Sequence, residues 1–434
     1  MIMVRPALAA PPALRLAQLG FLLLIFLLVF MKQDVVIGGL AAIPADFMFL
    51  MVVALWLLAL AFGQARLRWH PAFWVLPVYF AAIGASALVS RDAAASAFKL
   101  STQVYLLSLP ILAYNLVRTA DELREVLLAW LAAAAVLGLL AVATVALFPL
   151  LGPNSILAGS LHHYGTLPPG NYPRIELTFV FPAMLANFLT VSLIILLISA
   201  RLGWVPRRLA PPLGAGILVG AFFALTPGFG GLLLAAGLWC GLVAPVRDKR
   251  LARLALVAGI AGGIAFTLAA TVTPILHDNA PFLISLPGLP PLAPSVRLLA
   301  WMDALRAFLD SPLLGRGIGI DPANVPFIDP SGAVHYVTDP HNVFLSVAAQ
   351  CGVLGLAGLL LLILAAVRLG RPFTATSAMG PARAGLAVAF LCAFAFEGLV
   401  GSFEDARHLW ILFGLIAVAS TLDPRRAEGP SESA

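Results

Sequence analysis

The chain reads as an all-α integral membrane protein of about 12 transmembrane helices, with a long outer loop that carries an amphipathic helix. Three observations predict this. Of 434 residues, 61% are hydrophobic and 11% charged, too little charge to cover a water-facing surface. The mean hydropathy is +1.00. The apolar residues come in runs of roughly 17–25, the length that crosses about 30 Å of hydrocarbon as a helix. In lipid each backbone N–H and C=O must bond within its own segment, which makes these runs helices.

In chain order the runs fall near 16–31, 47–63, 72–89, 98–117, 126–149, 176–200, 209–226, 230–246, 254–276, 342–367, 384–401 and 406–422. The break at Thr226-Pro227-Gly228 leaves open one re-entrant element in place of the seventh and eighth runs. The whole of 1–434 is expected to be a single polytopic domain, with no soluble module and no internal repeat. Arg5 and Arg15 precede an apolar run without a small-residue cleavage site, so that run reads as the first span. Cys240, Cys351 and Cys392 lie inside apolar stretches and read as packing residues.

Basic residues set the orientation. With a cytoplasmic N-terminus, 18 of the 26 Lys and Arg fall in inner loops, which argues for both termini inside. The net charge of +6 is then a topology signal and gives no support to nucleic-acid binding. The remaining eight, among them Lys99, Arg174, Arg297 and Arg407, belong to the outer side.

Two outer loops are long, and long loops are where function concentrates. One spans about 150–175 and carries His162, His163 and Tyr164. Adjacent histidines rarely point at one ion, so this loop is expected to cover a site without holding a metal. The other spans 277–341. In it Val296, Leu299, Ala300, Met302, Ala304, Leu305, Phe308 and Leu309 recur at helical spacing, predicting an amphipathic helix along the outer membrane face that stops at Ser311-Pro312. The loop ends at His341, where polar chain enters an apolar helix. An ionisable group persists at such a place mainly where it faces a cavity or does chemistry. Gly352 and Gly355 follow as helix-compatible glycines that would let a neighbouring helix approach.

Taken in order, Arg297 and Trp301 in SVRLLAWMDAL, then SPLLGRGIG, then a variable loop, then His341-Asn342 and a glycine-spaced helix resemble the O-antigen ligase and O-antigen polymerase family of bacterial membrane glycosyltransferases. The earlier stretch PRIELTFVFPAMLANFLTVSL is similar to that family's arginine-led segment, here with Arg174, Thr178, Phe181 and Pro182. The resemblance covers about 170–365, the expected catalytic region. One departure stands out: where many members have a Ser-Arg-Gly turn, this chain has LTPGFGG, so Phe229 replaces an arginine often assigned to substrate phosphate.

The resemblance implies transfer of a glycan from an undecaprenyl pyrophosphate carrier to an acceptor hydroxyl at the periplasmic face of the inner membrane. The acceptor is another carrier-linked repeat in a polymerase and lipid A core in a ligase. The Phe229 departure tips the expectation towards polymerisation of O-antigen or exopolysaccharide repeats. His341 is the candidate base, because an acceptor hydroxyl is a poor nucleophile near neutral pH. Arg297 and Arg174 are the candidate pyrophosphate ligands, since guanidinium groups stabilise departing phosphate charge bidentately. The pyrophosphate linkage already activates the sugar, so no cofactor and no metal are expected. Trp301, Asn342, Gly228 and Gly230 are the candidate substrate contacts, the glycines through an anion-binding nest.

Each residue has a plainer reading. His341 would cap its helix, Arg297 and Arg174 would snorkel to lipid phosphates, Trp301 would be an interfacial aromatic, and the glycines would form a tight outer turn. Arg407 and His408 would join Glu404 and Asp405 in a local charge cluster. The competing class is a twelve-span secondary transporter, for which Glu397, nearly alone in an apolar helix, would be the coupling group.

Overall fold

The computed structural model describes residues 11–32, 35–37, 40–152, 154–161, 174–224, 226–272, 296–328, 334–373 and 377–422. His162, His163 and Tyr164 of the first long loop lie outside the described residues, as do parts of the second.

Each of the twelve apolar runs is helical. In order these are α1 (Pro12–Leu27), α2 (Pro44–Ala61), α3 (Val75–Ser86), α4 (Ala93–Leu116), α5 (Ala120–Leu151), α6 (Pro182–Arg201), α7 (Ala210–Phe223), α8 (Phe229–Leu238) and α9 (Lys249–Val272); then, beyond α10 (Val296–Asp310), α11 (Val343–Gly370), α12 (Gly380–Phe390) and α13 (Arg407–Thr421). Among the described residues seven helical stretches are long and apolar enough to cross a membrane, and α1, α7, α13 and the α8 stretch are shorter apolar helices. The twelfth, α4, is 24 residues long but carries Lys99, Ser101, Thr102 and Gln103 in its first half. The fold is that of a multi-pass all-α membrane protein. Short hairpins, β1 (Val35–Ile37) with β2 (Leu40–Ala42) and β3 (Val325–Ile328) with β4 (Val334–Val337), are antiparallel additions that hydropathy alone did not predict.

Lipid is as apolar as a leucine side chain, so close packing and polar contacts hold such helices together. Gly138 of α5 faces Gly216 of α7 so closely that an added Cβ would stand 3.1 Å from the Gly216 Cα, and Gly237 of α8 meets Gly259 of α9 in the same way. Helix starts follow local chemistry. A reciprocal Thr119–Glu122 capping pair opens α5. Asp92 caps α4 through the Ala95 N–H at 2.9 Å. The sixth run reaches back to 176, but α6 begins only at Pro182, whose fixed φ and missing N–H suit the first helical position. The preceding segment is irregular and pinned: Thr178 donates to Val29 O at 2.6 Å, and its carbonyl accepts from Met31 N and Lys32 N.

The amphipathic helix is present as α10, and its predicted apolar stripe divides by size: the small members turn towards the protein and large ones stay exposed. Ala300, Ala304 and Ala307 are fully buried, while Met302, Leu305 and Leu309 are about half exposed. Small side chains let α10 lie close on α11, where Ala304 and Ala307 pack with Ala349 and Leu345.

Gly352 also departs from expectation. It breaks α11 with φ +62°, and an added Cβ would collide with the Leu313 carbonyl. Its partner is the SPLLGRGIG segment, where the sequence suggested a neighbouring helix. Val353 N donates to Pro312 O at 2.8 Å, while Arg316 N and Gly317 N donate to Ala349 O and Gln350 O at 3.0 Å. The interruption frees backbone groups at 349–353 and the loop re-satisfies them, which is how non-helical backbone is tolerated inside such a bundle. Gly315 and Gly317, with φ of +71° and +112°, make that approach possible.

Candidate active site

A cavity of about 510 Å³ opens where the α10–α11 connection meets the starts of α6 and α13. Its lining includes His341, Arg297 and Arg174, residues separated by up to 167 positions in the chain, together with Phe181 and Pro182.

Local structure places each of them. Arg297 sits in the first turn of α10 and donates to Val400 O at 3.0 Å. Trp301, one turn on, donates its indole N–H to Pro340 O at 2.8 Å, fastening α10 to the residue before His341. Arg174 lies in the pinned segment before α6, its Nε 3.4 Å from Ala224 O. His341 has φ +50°, rare for a side-chain-bearing residue. Its N–H donates to Asp339 Oδ1 at 2.7 Å, and Asp339 Oδ1 also accepts from the Ser402 hydroxyl. The capping role considered for His341 belongs to Asn342. The Asn342 Oδ1 accepts from Phe344 N and Leu345 N at 3.0 Å, and its amide donates to Leu399 O at 2.9 Å. Thus Arg297, Asp339 and Asn342 tie the chain at 399–402 to the start of α10 and to the end of the outer loop.

The charges grade across the cavity. Burial and the neighbouring Arg174 hold the Arg297 pKa down to about 10, with Asp339 opposing them. Burial likewise lowers Arg174, against the pull of Glu176. His341 is shifted below its usual 6.5 by burial, with Arg297 adding and Asp339 opposing, so the imidazole is neutral at neutral pH. The side chain remains 43% exposed, so its burial is depth within the cleft. Glu404, also in the lining, is raised to about 7 by burial and by Asp405, and it accepts from Ser346 Oγ at 2.9 Å. Lys99 pairs with Asp405. Arg174 and Arg297 therefore line one cavity with the Lys99–Asp405 pair, Ser346 and Glu404, and the Asp339 charge acts on both Arg297 and Glu404.

The other candidates sit elsewhere. Trp301 and Asn342 are not among the lining residues; they brace the chain on either side of His341. Gly228 and Gly230 also lie away from the lining. An added Cβ on Gly228 would stand 3.2 Å from Glu397 Oε2, and one on Gly230 would meet Thr267. Neither has positive φ; the expected tight turn between α7 and α8 is present, with Phe229 N donating to Thr226 O at 3.1 Å and Gly230 N to Pro227 O at 3.0 Å, and the glycines also admit neighbouring side chains. Phe229 packs in an aromatic group with Phe222 and Phe266 at centroid distances of 5.8 and 5.3 Å. The expected Arg407–His408–Glu404–Asp405 cluster does not form. Arg407 reaches 361 positions back to Asp46 at 2.9 Å, and His408 bonds Asn187 at 2.8 Å inside the bundle.

Sequence reasoning missed Asp339, Ser402, Glu404 and Asp405 as parts of one site with Lys99. The only signal for Asp339 was its position two residues before His341; the others are brought in from distant loops.

Residues 179–360 match the family model described as O-Antigen ligase. No curated protein matches the chain. The matched span contains α6, α10, His341 and the interrupted first half of α11. This multi-pass membrane protein carries an O-antigen ligase domain over residues 179–360, which supports its place in the O-antigen ligase/polymerase family that the sequence motifs resemble.

Proposed function

We propose that the protein moves a glycan from an undecaprenyl pyrophosphate carrier to an acceptor hydroxyl at the periplasmic face of the inner membrane, with both termini cytoplasmic. His341 accepts the hydroxyl proton, and Arg297 and Arg174 take up the charge that grows on the leaving pyrophosphate. The observation that carries this reading is the convergence of the two guanidinium groups and the imidazole on one cavity. A neutral imidazole can receive a proton, and cations already in place need no reorganisation when phosphate charge develops. Because the pyrophosphate is a good leaving group, the reaction as proposed requires neither nucleotide nor metal.

The orientation draws support from the same place. Lys99, Arg174 and Arg297, all assigned to the outer side by loop charge, line this cavity together. Lys99 and Val400–Asp405 lie beyond 170–365, so the proposed catalytic region extends to both.

Polymerisation of carrier-linked repeats is the favoured activity, since Phe229 occupies an aromatic cluster at the position where many members of the resembled family carry an arginine often assigned to substrate phosphate. Transfer to lipid A core is the second reading, favoured by the description of the matching family model. Incubating purified protein with lipid-linked repeat units, with and without lipid A core, separates them. Chain ladders formed without core support polymerisation; product that requires core overturns it in favour of ligation.

A further inference from the structure

The proposed base is an isolated imidazole unless something fixes its ring, and Asp339 is placed to do this. One oxygen of its carboxylate is anchored, accepting from the His341 N–H at 2.7 Å and from the Ser402 hydroxyl. The other oxygen, Oδ2, stands 3.7 Å from His341 Nδ1. That is longer than a hydrogen bond, and catalytic contacts of this kind commonly close only when substrate is bound. The left-handed backbone at His341 has its explanation here as well. A φ of +50° is costly for a residue with a side chain, and the turn that Asp339 closes is what holds it.

We infer that Asp339 is the positioning residue of His341: its carboxylate holds the Nδ1 side of the ring, leaving Nε2 to take the acceptor proton. This rests on the reading of His341 as the base. In the transfer step the acceptor oxygen bonds the anomeric carbon while the bond from that carbon to the pyrophosphate oxygen breaks. The electron pair leaves with the pyrophosphate, and the hydroxyl proton moves to Nε2. The imidazolium then carries a positive charge close to Arg297, and the Asp339 carboxylate is the nearest opposite charge. Arg297 and Asp339 are the charged groups that act on His341; Arg174, Glu404, Asp405 and Lys99 line the same cavity beyond them.

Asp339→Asn separates charge from geometry, because an amide oxygen can still accept from the His341 N–H and the Ser402 hydroxyl. With undecaprenyl pyrophosphate-linked repeat units and the full-length protein, this variant is expected to lose about 10- to 100-fold in kcat with the donor KM within roughly twofold. The acid limb of its pH–rate profile is expected to move down by about half a unit or more, since removing a carboxylate lowers the imidazole pKa. Ser402→Ala, which weakens the anchor but keeps the charge, is expected to leave that limb in place. An Asp339→Asn enzyme with an unmoved acid limb, whether fast or slow, overturns the inference, as does a Ser402→Ala variant that reproduces its shift. A His341→Ala enzyme at parental rate overturns the underlying assignment of the base instead, so the two failures are distinguishable.

Discussion

Two of the polar groups among the described residues of this apolar bundle differ in one respect. The first surrounds His341 and opens to a cavity. The second, Glu397 with Asn187 and His408, is sealed: all three are buried, Glu397 and Asn187 completely. Asn187 donates to Glu397 Oε2 at 2.9 Å and to Ala393 O at 2.7 Å, and its Oδ1 bonds His408. Gly231 makes room for the carboxylate, since an added Cβ would collide with it. Both groups contain a carboxyl and an imidazole, so composition does not tell them apart. Access does. The open group combines two guanidinium cations with a reachable imidazole, whereas the sealed one ties α6 and α13 to the helical stretch 391–399 that continues α12. The lesson is that an ionisable residue in a span is a functional candidate only once its route to substrate is known.

The sharpest way to break this contrast is to exchange the loss. His341→Ala is expected to lower the rate of glycan transfer by about 100-fold or more, the usual weight of a general base. Glu397→Gln is expected to stay within about twofold, because an amide can keep the Asn187 contact. The opposite pattern, measured on lipid-linked repeats, would return the transporter reading. The pH profile sharpens the same point. Since burial holds the imidazole below its usual 6.5, neutral His341 persists at neutral pH, and activity should fall only on acidification below about that value.

Next in size are the two guanidinium groups. Arg297→Lys keeps the charge but loses the planar fork, and kcat/KM for the pyrophosphate donor should fall by roughly tenfold. A variant with unchanged donor kinetics would reduce Arg297 to a brace for the Val400 carbonyl.

Stability changes should be smaller and should follow geometry. Gly352→Ala places a side chain at φ +62° against the Leu313 carbonyl, which should cost about 1–3 kcal/mol, read as a lower melting midpoint in detergent. The smallest effect concerns Glu404. Its pKa in the fold, about 7, lies above the ordinary carboxylate value, so the folded state binds more protons than the unfolded state between the two. Stability should therefore decline as pH rises from about 4.5 to beyond 7, and Glu404→Gln should flatten that decline.

How far the site was legible depended on the kind of residue. His341 was visible from its place where polar chain enters an apolar helix, whereas Arg297 and Arg174 stood out from ordinary interfacial arginines only through the family motif. Gly352 was visible as a glycine but misread, because helical glycines and helix-breaking glycines look alike in one dimension. Lys99 and Asp405, 306 positions apart, gave no signal of being partners. Arg407 gave a false one, since nearby acids in sequence suggested a local cluster while its partner is Asp46.

Composition and the length of the apolar runs alone determined that this is a membrane bundle, where its helices lie and which loops are long. Those properties follow from transfer of each segment into hydrocarbon, a cost that each segment meets by itself. Only the tertiary structure decided that 174, 297 and 341 share one cavity, that α11 breaks to receive a glycine loop, and that Asp339 and Val400–Asp405 line that cavity with them. Those outcomes depend on contacts between residues far apart in the chain, fixed by close packing and long-range hydrogen bonds that no single stretch of sequence encodes.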